Sequence, residues 1–198
     1  MATGADPCHR PGMSISARIR RPATVLVGAV VLLATAGGPA SAERLGLDDP
    51  ADVGGASLSD ILAVTAVHAP KKVVVRVDFA ELEPTSDGGP SSLSVFVDTD
   101  PGAKGPEFRV GAGLQEGTDY QLVRMAAWKP VGEPLTCSHA VRIDFDANRV
   151  RARISRDCLG NPATVRVGAK MTDLYDGSHP VVDWLGKRRY LSIPLASG

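Results

Sequence analysis

Apolar and polar residues alternate with a period of two along most of the chain after residue 60. In the segment 73–79 the odd-numbered residues are all apolar, whereas Arg76 and Asp78 lie between them. This period places apolar side chains on one face of a β-strand and polar side chains on the other. We predict half-buried strands in this segment and in four others with the same pattern, at 93–97, 141–145, 149–154 and 165–170.

Turn-forming residues separate these segments. Residues 69–72 and 146–148 contain the Pro, Asp and Asn typical of tight turns, which predicts two hairpins. No segment after residue 42 has sustained helical spacing. Short strands joined by such turns favour an all-β fold, an antiparallel β-sandwich of about seven to nine strands. We predict a single domain over 59–198, preceded by an acidic irregular arm at 43–58.

The first 42 residues have the composition of a secretory leader. Three arginines between residues 18 and 21 precede an apolar run of 14 residues at 23–36, and a small-x-small sequence ends at Ala42. This order predicts a signal peptide that starts at Met1 or Met13 and is cleaved after Ala42. The run is shorter than the roughly 20 apolar residues of a membrane span, although a retained anchor is the alternative. We therefore expect a secreted, extracellular protein with no membrane segment after cleavage.

Charge and cysteine content change once the leader is removed. The whole chain has 22 basic and 22 acidic residues; without the leader, 18 basic and 21 acidic residues remain. A net charge of about −3 disfavours nucleic acid or an anionic membrane as the partner. Cys8 leaves with the leader, and the two remaining cysteines of an exported domain are expected to form a disulfide, Cys137–Cys158. A redox or metal-binding pair is the alternative.

Two carboxylates stand at the end of a predicted strand, Asp98 and Asp100. Oxygen ligands beside a glycine loop are suited to calcium, so this pair is our candidate metal site and calcium the candidate cofactor. The alternative is a turn in which both side chains accept backbone N–H groups. A complete calcium site needs further acids, for which 48–52, Glu107 and Asp119 are candidates.

Few aromatic residues follow the leader, and three of them are candidates for ligand contact. Tyr120 follows Asp119 at the start of a predicted strand, and Trp128 and Trp184 lie further along the chain. Aromatic rings stack on sugar rings, so these four residues are candidates for binding a polysaccharide. The alternative is that the rings fill the core or its rim, as aromatic side chains in sandwiches commonly do.

Histidine and arginine residues offer two other kinds of site. His68, His139 and His179 are widely separated, which favours structural roles over a zinc site. Alternating arginines at 149–153 predict a basic strand face, which either binds a polyanion such as a cell-wall polymer or is a solvated face balanced by acids at 144 and 146. No nucleophile-elbow sequence is present, and we assign no catalytic residue.

Several short segments resemble known proteins. Residues 97–100, 105–108, 117–122 and 158–160 are similar to a group of secreted actinobacterial proteins of uncharacterised function, and the likeness covers most of 48–196. The acids at 98, 100 and 119, followed by Tyr120, more loosely resemble family-nine carbohydrate-binding modules and DOMON-type domains. The resemblance implies a β-sandwich that binds sugars, in some members with calcium, or binds haem in DOMON relatives.

The sequence thus predicts a secreted, non-catalytic binding or accessory module whose ligand is a glycan or a cell-envelope component. Two alternatives remain open. One is a small metal-dependent hydrolase that uses His139 or His179 with loop acids. The other is a structural envelope protein or an inhibitor that binds another protein.

Overall fold

The computed structural model describes residues 42–86, 88–174 and 179–198. The predicted signal peptide, with its apolar run at 23–36, lies outside the described residues. Within the described ranges, no helix is long and apolar enough to cross a membrane.

One layer of the fold is a five-stranded antiparallel sheet. Its strands, from one edge to the other, are β1 (Glu43–Asp48), β2 (Ile61–Ala69), β3 (Lys72–Phe79), β9 (Arg149–Ser155) and β8 (His139–Asp144). The two predicted hairpins are present in it, since β2 pairs with β3 and β8 pairs with β9.

The other layer is a seven-stranded antiparallel sheet. Six strands form its main path in the order β11 (Val181–Trp184), β10 (Thr164–Asp173), β4 (Ser91–Asp98), β5 (Phe108–Gly113), β6 (Tyr120–Ala126) and β7 (Lys129–Leu135). The seventh, β12 (Leu195–Ala196), pairs with the beginning of β10. Because β10 is the longest strand, it has room for β11 and β12 one after the other along the same edge.

The two sheets confirm the predicted all-β fold and its antiparallel pairing. The expected seven to nine strands were too few, because the described residues contain twelve. The prediction of an irregular arm over 43–58 was wrong for its first six residues, which form β1. Leu45 and Leu47 of β1 alternate with polar neighbours and pack on the core, so even this edge strand has one apolar face.

The hydrophobic core lies between the inner faces of the two sheets. It includes side chains with at most 1% exposure from both layers, such as Ile61, Val75 and Ile154 from the five-stranded sheet and Val97 and Val167 from the seven-stranded sheet. Burying such side chains removes apolar surface from water and stabilises the fold by roughly 1.5–3 kcal/mol for each. The apolar positions of the alternating sequence pattern are therefore the positions whose side chains pack between the two sheets.

The predicted disulfide is present. Cys137 follows β7, and Cys158 lies in a short 3-10 helix, Arg156–Leu159, that follows β9. Their Cα atoms are 5.7 Å apart. The bond thus connects the end of the seven-stranded sheet's edge strand to the segment that leaves the five-stranded sheet.

Candidate functional site

Arginine side chains dominate the outer face of the five-stranded sheet. Cross-strand register places Arg76 of β3 opposite Arg151 of β9, and Arg151 opposite Arg142 of β8. Residues in register on one face have Cβ atoms about 4.5–5.5 Å apart. Three guanidinium groups therefore stand in one row across adjacent strands. We call this row, together with Arg149 and Arg153, the arginine face.

Carboxylates neutralise only part of the arginine face. Asp78 of β3 accepts hydrogen bonds from Nε of Arg149 at 2.6 Å and from Nε of Arg76 at 3.1 Å. Arg142 and Arg151 form no ion pair or hydrogen bond through their side chains within the described ranges. Asp144, which the sequence suggested as a balancing charge, instead accepts the backbone N–H of Ala147 in the β8–β9 turn. Two neighbouring exposed cations are therefore left without a counterion in the described structure.

A shallow groove of about 800 Å³ runs over the arginine face. Five arginines line it together with two acids at 144 and 146, so basic groups predominate, and Val67 and Val74 provide apolar surface beside them. The combination of a basic wall and an apolar floor is suited to a ligand that carries negative charge on a carbon framework.

The predicted strand-end carboxylate Asp98 lies against a cation. Its side chain is buried, and its Oδ2 accepts a hydrogen bond from Nη2 of Arg166 on the neighbouring strand β10. Burial raises the pKa of Asp98, and the positive charge of Arg166 counteracts part of this effect. The ion pair occupies one of the oxygens that the calcium hypothesis requires.

The second predicted carboxylate, Asp100, forms a local turn. Its Oδ1 accepts the backbone N–H of Gly102 at 2.9 Å. Glu107 caps the same strand end, because its Oε2 accepts the N–H groups of Thr99 and Asp100. Asp100 thus has the alternative role that its sequence allows, and calcium at Asp98 and Asp100 stays a prediction.

The two tryptophans, 56 residues apart in sequence, meet on the outer face of the seven-stranded sheet. The ring centroid of Trp128 is 5.8 Å from that of Trp184, and both contact Phe96 of β4. Phe96 and Trp184 are stacked, with 10° between their planes. This aromatic cluster is half-buried by its own members and by neighbouring side chains, including those of Val123 and Met125. Both tryptophans thus pack in a small cluster separate from the core between the sheets, and their role in ligand contact stays a prediction.

Two cations lie over the aromatic cluster. Nζ of Lys170 is 5.9 Å from the Trp184 ring centroid, and the guanidinium of Arg189 is 5.6 Å from that of Trp128. Burial, and secondarily the charge of Arg109, lowers the pKa of Lys170. A ligand ring would therefore compete with these cations for the tryptophan faces.

The other two predicted ligand residues lie apart from the aromatic cluster. Tyr120 is 41% exposed and packs edge-on against His139, with ring centroids 5.7 Å apart. The backbone carbonyl of Asp119 accepts the N–H of Gly113, which fixes the turn before β6. The structure therefore separates the four candidates into a tryptophan pair and a pair at the start of β6.

The described histidines have structural contacts. Nδ1 of His68 is 3.0 Å from the carbonyl oxygen of Leu195, and Nδ1 of His139 is 2.7 Å from that of Cys137. His68 is fully buried, and this burial lowers its pKa. Within the described ranges, the group of carboxylates, imidazoles and thiols that is close enough to hold a metal contains no histidine. The loop segment at 176–178 that precedes His179 lies outside the described residues.

Sequence reasoning missed a group of three carboxylates. Ligand oxygens of Asp52, Asp60 and Asp183 all lie within 4.8 Å of one another. Burial, followed by the negative charges of Asp49, Asp60 and Asp52, raises the pKa of Asp183 to about 7. The signal in the sequence was weak, because Asp183 is more than 120 residues from the other two. We call these three residues the acidic cluster.

No family model matches the chain, and no curated protein matches it. The resemblance to carbohydrate-binding and DOMON-type modules stays a prediction, and the functional argument depends on the geometry of the sites described above.

Proposed function

We propose that this chain is an exported, non-catalytic binding module whose arginine face holds an anionic polysaccharide or another anionic polymer of the cell envelope. The observation that carries the proposal is the cross-strand row of Arg76, Arg151 and Arg142, of which the last two have no counterion within the described ranges. An anionic polymer that crosses the strands would supply the missing charge to each in turn.

Arginine is well suited to this role. Its planar guanidinium donates two parallel hydrogen bonds to a carboxylate or phosphate, and its aliphatic stem packs on apolar surface. Adjacent strands lie about 4.8 Å apart, so the row spans roughly 10 Å, a length comparable to two sugar units. The groove over the row is open to solvent, which favours a chain-like ligand over a small enclosed molecule.

The arrangement is unfavourable without a ligand. Like charges directly opposite one another on a sheet destabilise the pairing. Bound anions would remove this repulsion. The unfavourable arrangement of like charges in the free protein therefore supports a binding role for the arginine face. Nucleic acid is a less suitable polyanion, because the chain after the leader has a net charge of about −3 and would repel a long, highly charged duplex outside the groove.

A retention assay on insoluble polymers tests the proposal. The ligands are a polyuronate, a phosphate-rich cell-wall fraction, a neutral β-glucan and duplex DNA, each at low and high salt. We expect retention on one of the first two polymers, and loss of that retention at high salt because screening weakens exposed charge pairs. Retention on DNA at least as strong as on both wall polymers would contradict the proposal.

A matched pair of variants identifies the surface. Arg142→Thr/Arg151→Thr removes two charges from the arginine face, and Lys187→Thr/Arg188→Thr removes two exposed charges after β11. Both variants have the same net charge, so a general electrostatic effect would weaken both equally. We expect the first variant to lose at least tenfold in affinity and the second to stay within twofold of the wild type. Equal losses would refute the assignment to the arginine face.

The aromatic cluster is a second candidate surface. Its supporting observation is the convergence of Trp128 and Trp184 on one outer face, where both are partly exposed. Retention on the neutral β-glucan that is unaffected by salt and is lost in Trp184→Ala would favour this surface and a neutral sugar ligand.

A further inference from the structure

The acidic cluster lies between the two sheets at one end of the sandwich. Asp52 and Asp60 belong to the segment that connects β1 to β2, and Asp183 lies on β11 of the other sheet. Oδ2 of Asp183 also accepts the backbone N–H of Ile61 at 2.7 Å, so the carboxylate already joins the two layers. No Lys or Arg forms an ion pair with any of the three within the described ranges.

A separate observation, at Asp60, points to a ligand for the cluster. The Asp60 side chain is only 5% exposed, and its buried Oδ1 has no hydrogen-bond partner. Asp49 lies nearby and is 6% exposed; its Oδ1 accepts the N–H of Gly186, whereas its Oδ2 is buried and also unpartnered. Buried carboxylate oxygens without a donor cost several kcal/mol. A cation held by Asp52, Asp60 and Asp183 would satisfy the Asp60 carboxylate.

The chemistry of the ligands selects the type of cation. All the side-chain donors are carboxylate oxygens, and the group contains no imidazole or thiol, so hard cations are preferred over zinc or copper. Calcium accepts six to eight oxygens in irregular geometry, whereas magnesium requires a near-ideal octahedron and retains several waters. The three carboxylates come from a loop and from an edge strand, an irregular arrangement that is better suited to calcium.

We propose that Asp52, Asp60 and Asp183 form a calcium site that joins the segment before β2 to β11 and thereby stabilises the contact between the two sheets at this end. The exposed Asp52 forms the solvent side of the site, and the two buried residues form its interior. This site is independent of the arginine face, because it lies on other elements. Failure of either proposal therefore leaves the other unaffected.

Thermal unfolding of the full chain tests the calcium site. The protein is stripped with a chelator and then titrated with calcium or with magnesium at constant ionic strength. We expect the melting temperature to rise saturably with calcium, by about 5–10 °C at a hundredfold excess over the dissociation constant. Magnesium should raise it much less. The absence of a calcium shift, or an equal shift with magnesium, would overturn the proposal.

Two variants and a matched control locate the site. Asp60→Asn and Asp52→Asn each remove one ligand charge, and we expect each to lose most of the calcium-dependent shift. The exposed Asp52 provides a test even if substitution inside the protein prevents folding. Asp100→Asn is the control, because an asparagine oxygen can still accept the Gly102 N–H, and it should retain the full shift. A shift that is lost in Asp100→Asn but kept in Asp52→Asn would place calcium at the strand end instead.

Discussion

Replacing Arg151 with threonine should increase the stability of the free protein while it weakens binding. Arg151 has an arginine directly opposite on each side, Arg76 and Arg142. The acids on the neighbouring strands lie two residues away from the positions directly opposite Arg151. Asp78, moreover, already binds two other guanidinium groups. The two direct arginine neighbours therefore leave a net repulsion at this position, which threonine, a good strand former, would remove.

The size of the effect follows from the spacing of the row. If the exposed side chains separate their charges to about 7 Å, each pair repels by roughly 0.6 kcal/mol in water. Ions at physiological strength reduce this by about half. Two pairs then give a gain of about 0.6 kcal/mol in the free energy of unfolding, which corresponds to about 1–2 °C in melting temperature.

Urea unfolding at low salt and at 1 M salt measures this gain. Arg153→Thr is the matched control, because Arg153 lies on the same strand and face but opposite Val74 and Ala140. We expect Arg151→Thr to be more stable than Arg153→Thr at low salt, and the difference to vanish at 1 M salt. The reasoning is refuted if Arg151→Thr is the less stable variant, or if its gain does not depend on salt.

Two other predictions concern stability. Cys137→Ser/Cys158→Ser should lower the melting temperature by about 6–12 °C, since a bridge across 21 residues is worth roughly 3 kcal/mol; calorimetry without reductant measures this, and a change below 2 °C contradicts it. Burial lowers the pKa of His68 in the folded protein, so the unfolded chain takes up a proton at this side chain first as the pH falls. The stability that neutral His68 contributes is therefore present above about pH 6.5 and is lost below it. In His68→Asn this part of the acid sensitivity should be absent, which urea unfolding at pH 7.5 and pH 5.5 tests against the wild type. Equal losses in both proteins would exclude His68 as the source.

Alternation in the sequence predicted the strands that have one face in the core. The segments at 73–79 and 149–154 are examples, because their alternating apolar residues point between the sheets, and only Val74 lies on the outer face. The edge strands were harder to predict. β7 contains two prolines and a glycine and is almost entirely exposed, and β12 has two residues; both exist because a neighbouring strand offers hydrogen bonds. A pattern of hydrophobicity does not contain that information.

The sites depended still more on tertiary contacts. Asp98 is a plausible metal ligand in sequence, but Arg166, 68 residues away, is adjacent to it in the sheet. Asp183 gives no signal by itself, and becomes part of a cluster only because β11 lies beside the segment before β2. The arginines at 149–153 were visible as a basic strand, whereas Arg76 and Arg142 joined them only through the register of three strands.

Strand β12 has a consequence for the order in which the fold forms. The N–H of Ala196 donates to the Glu43 side chain, and the Leu195 carbonyl accepts from His68, so the last strand closes against the first two. These contacts join residues separated by more than 120 positions, and such long-range closure is slow during folding. As the chain is synthesised, the edge formed by β1 and β2 therefore stays incomplete until residue 196 has emerged, and assembly of this edge is a late step.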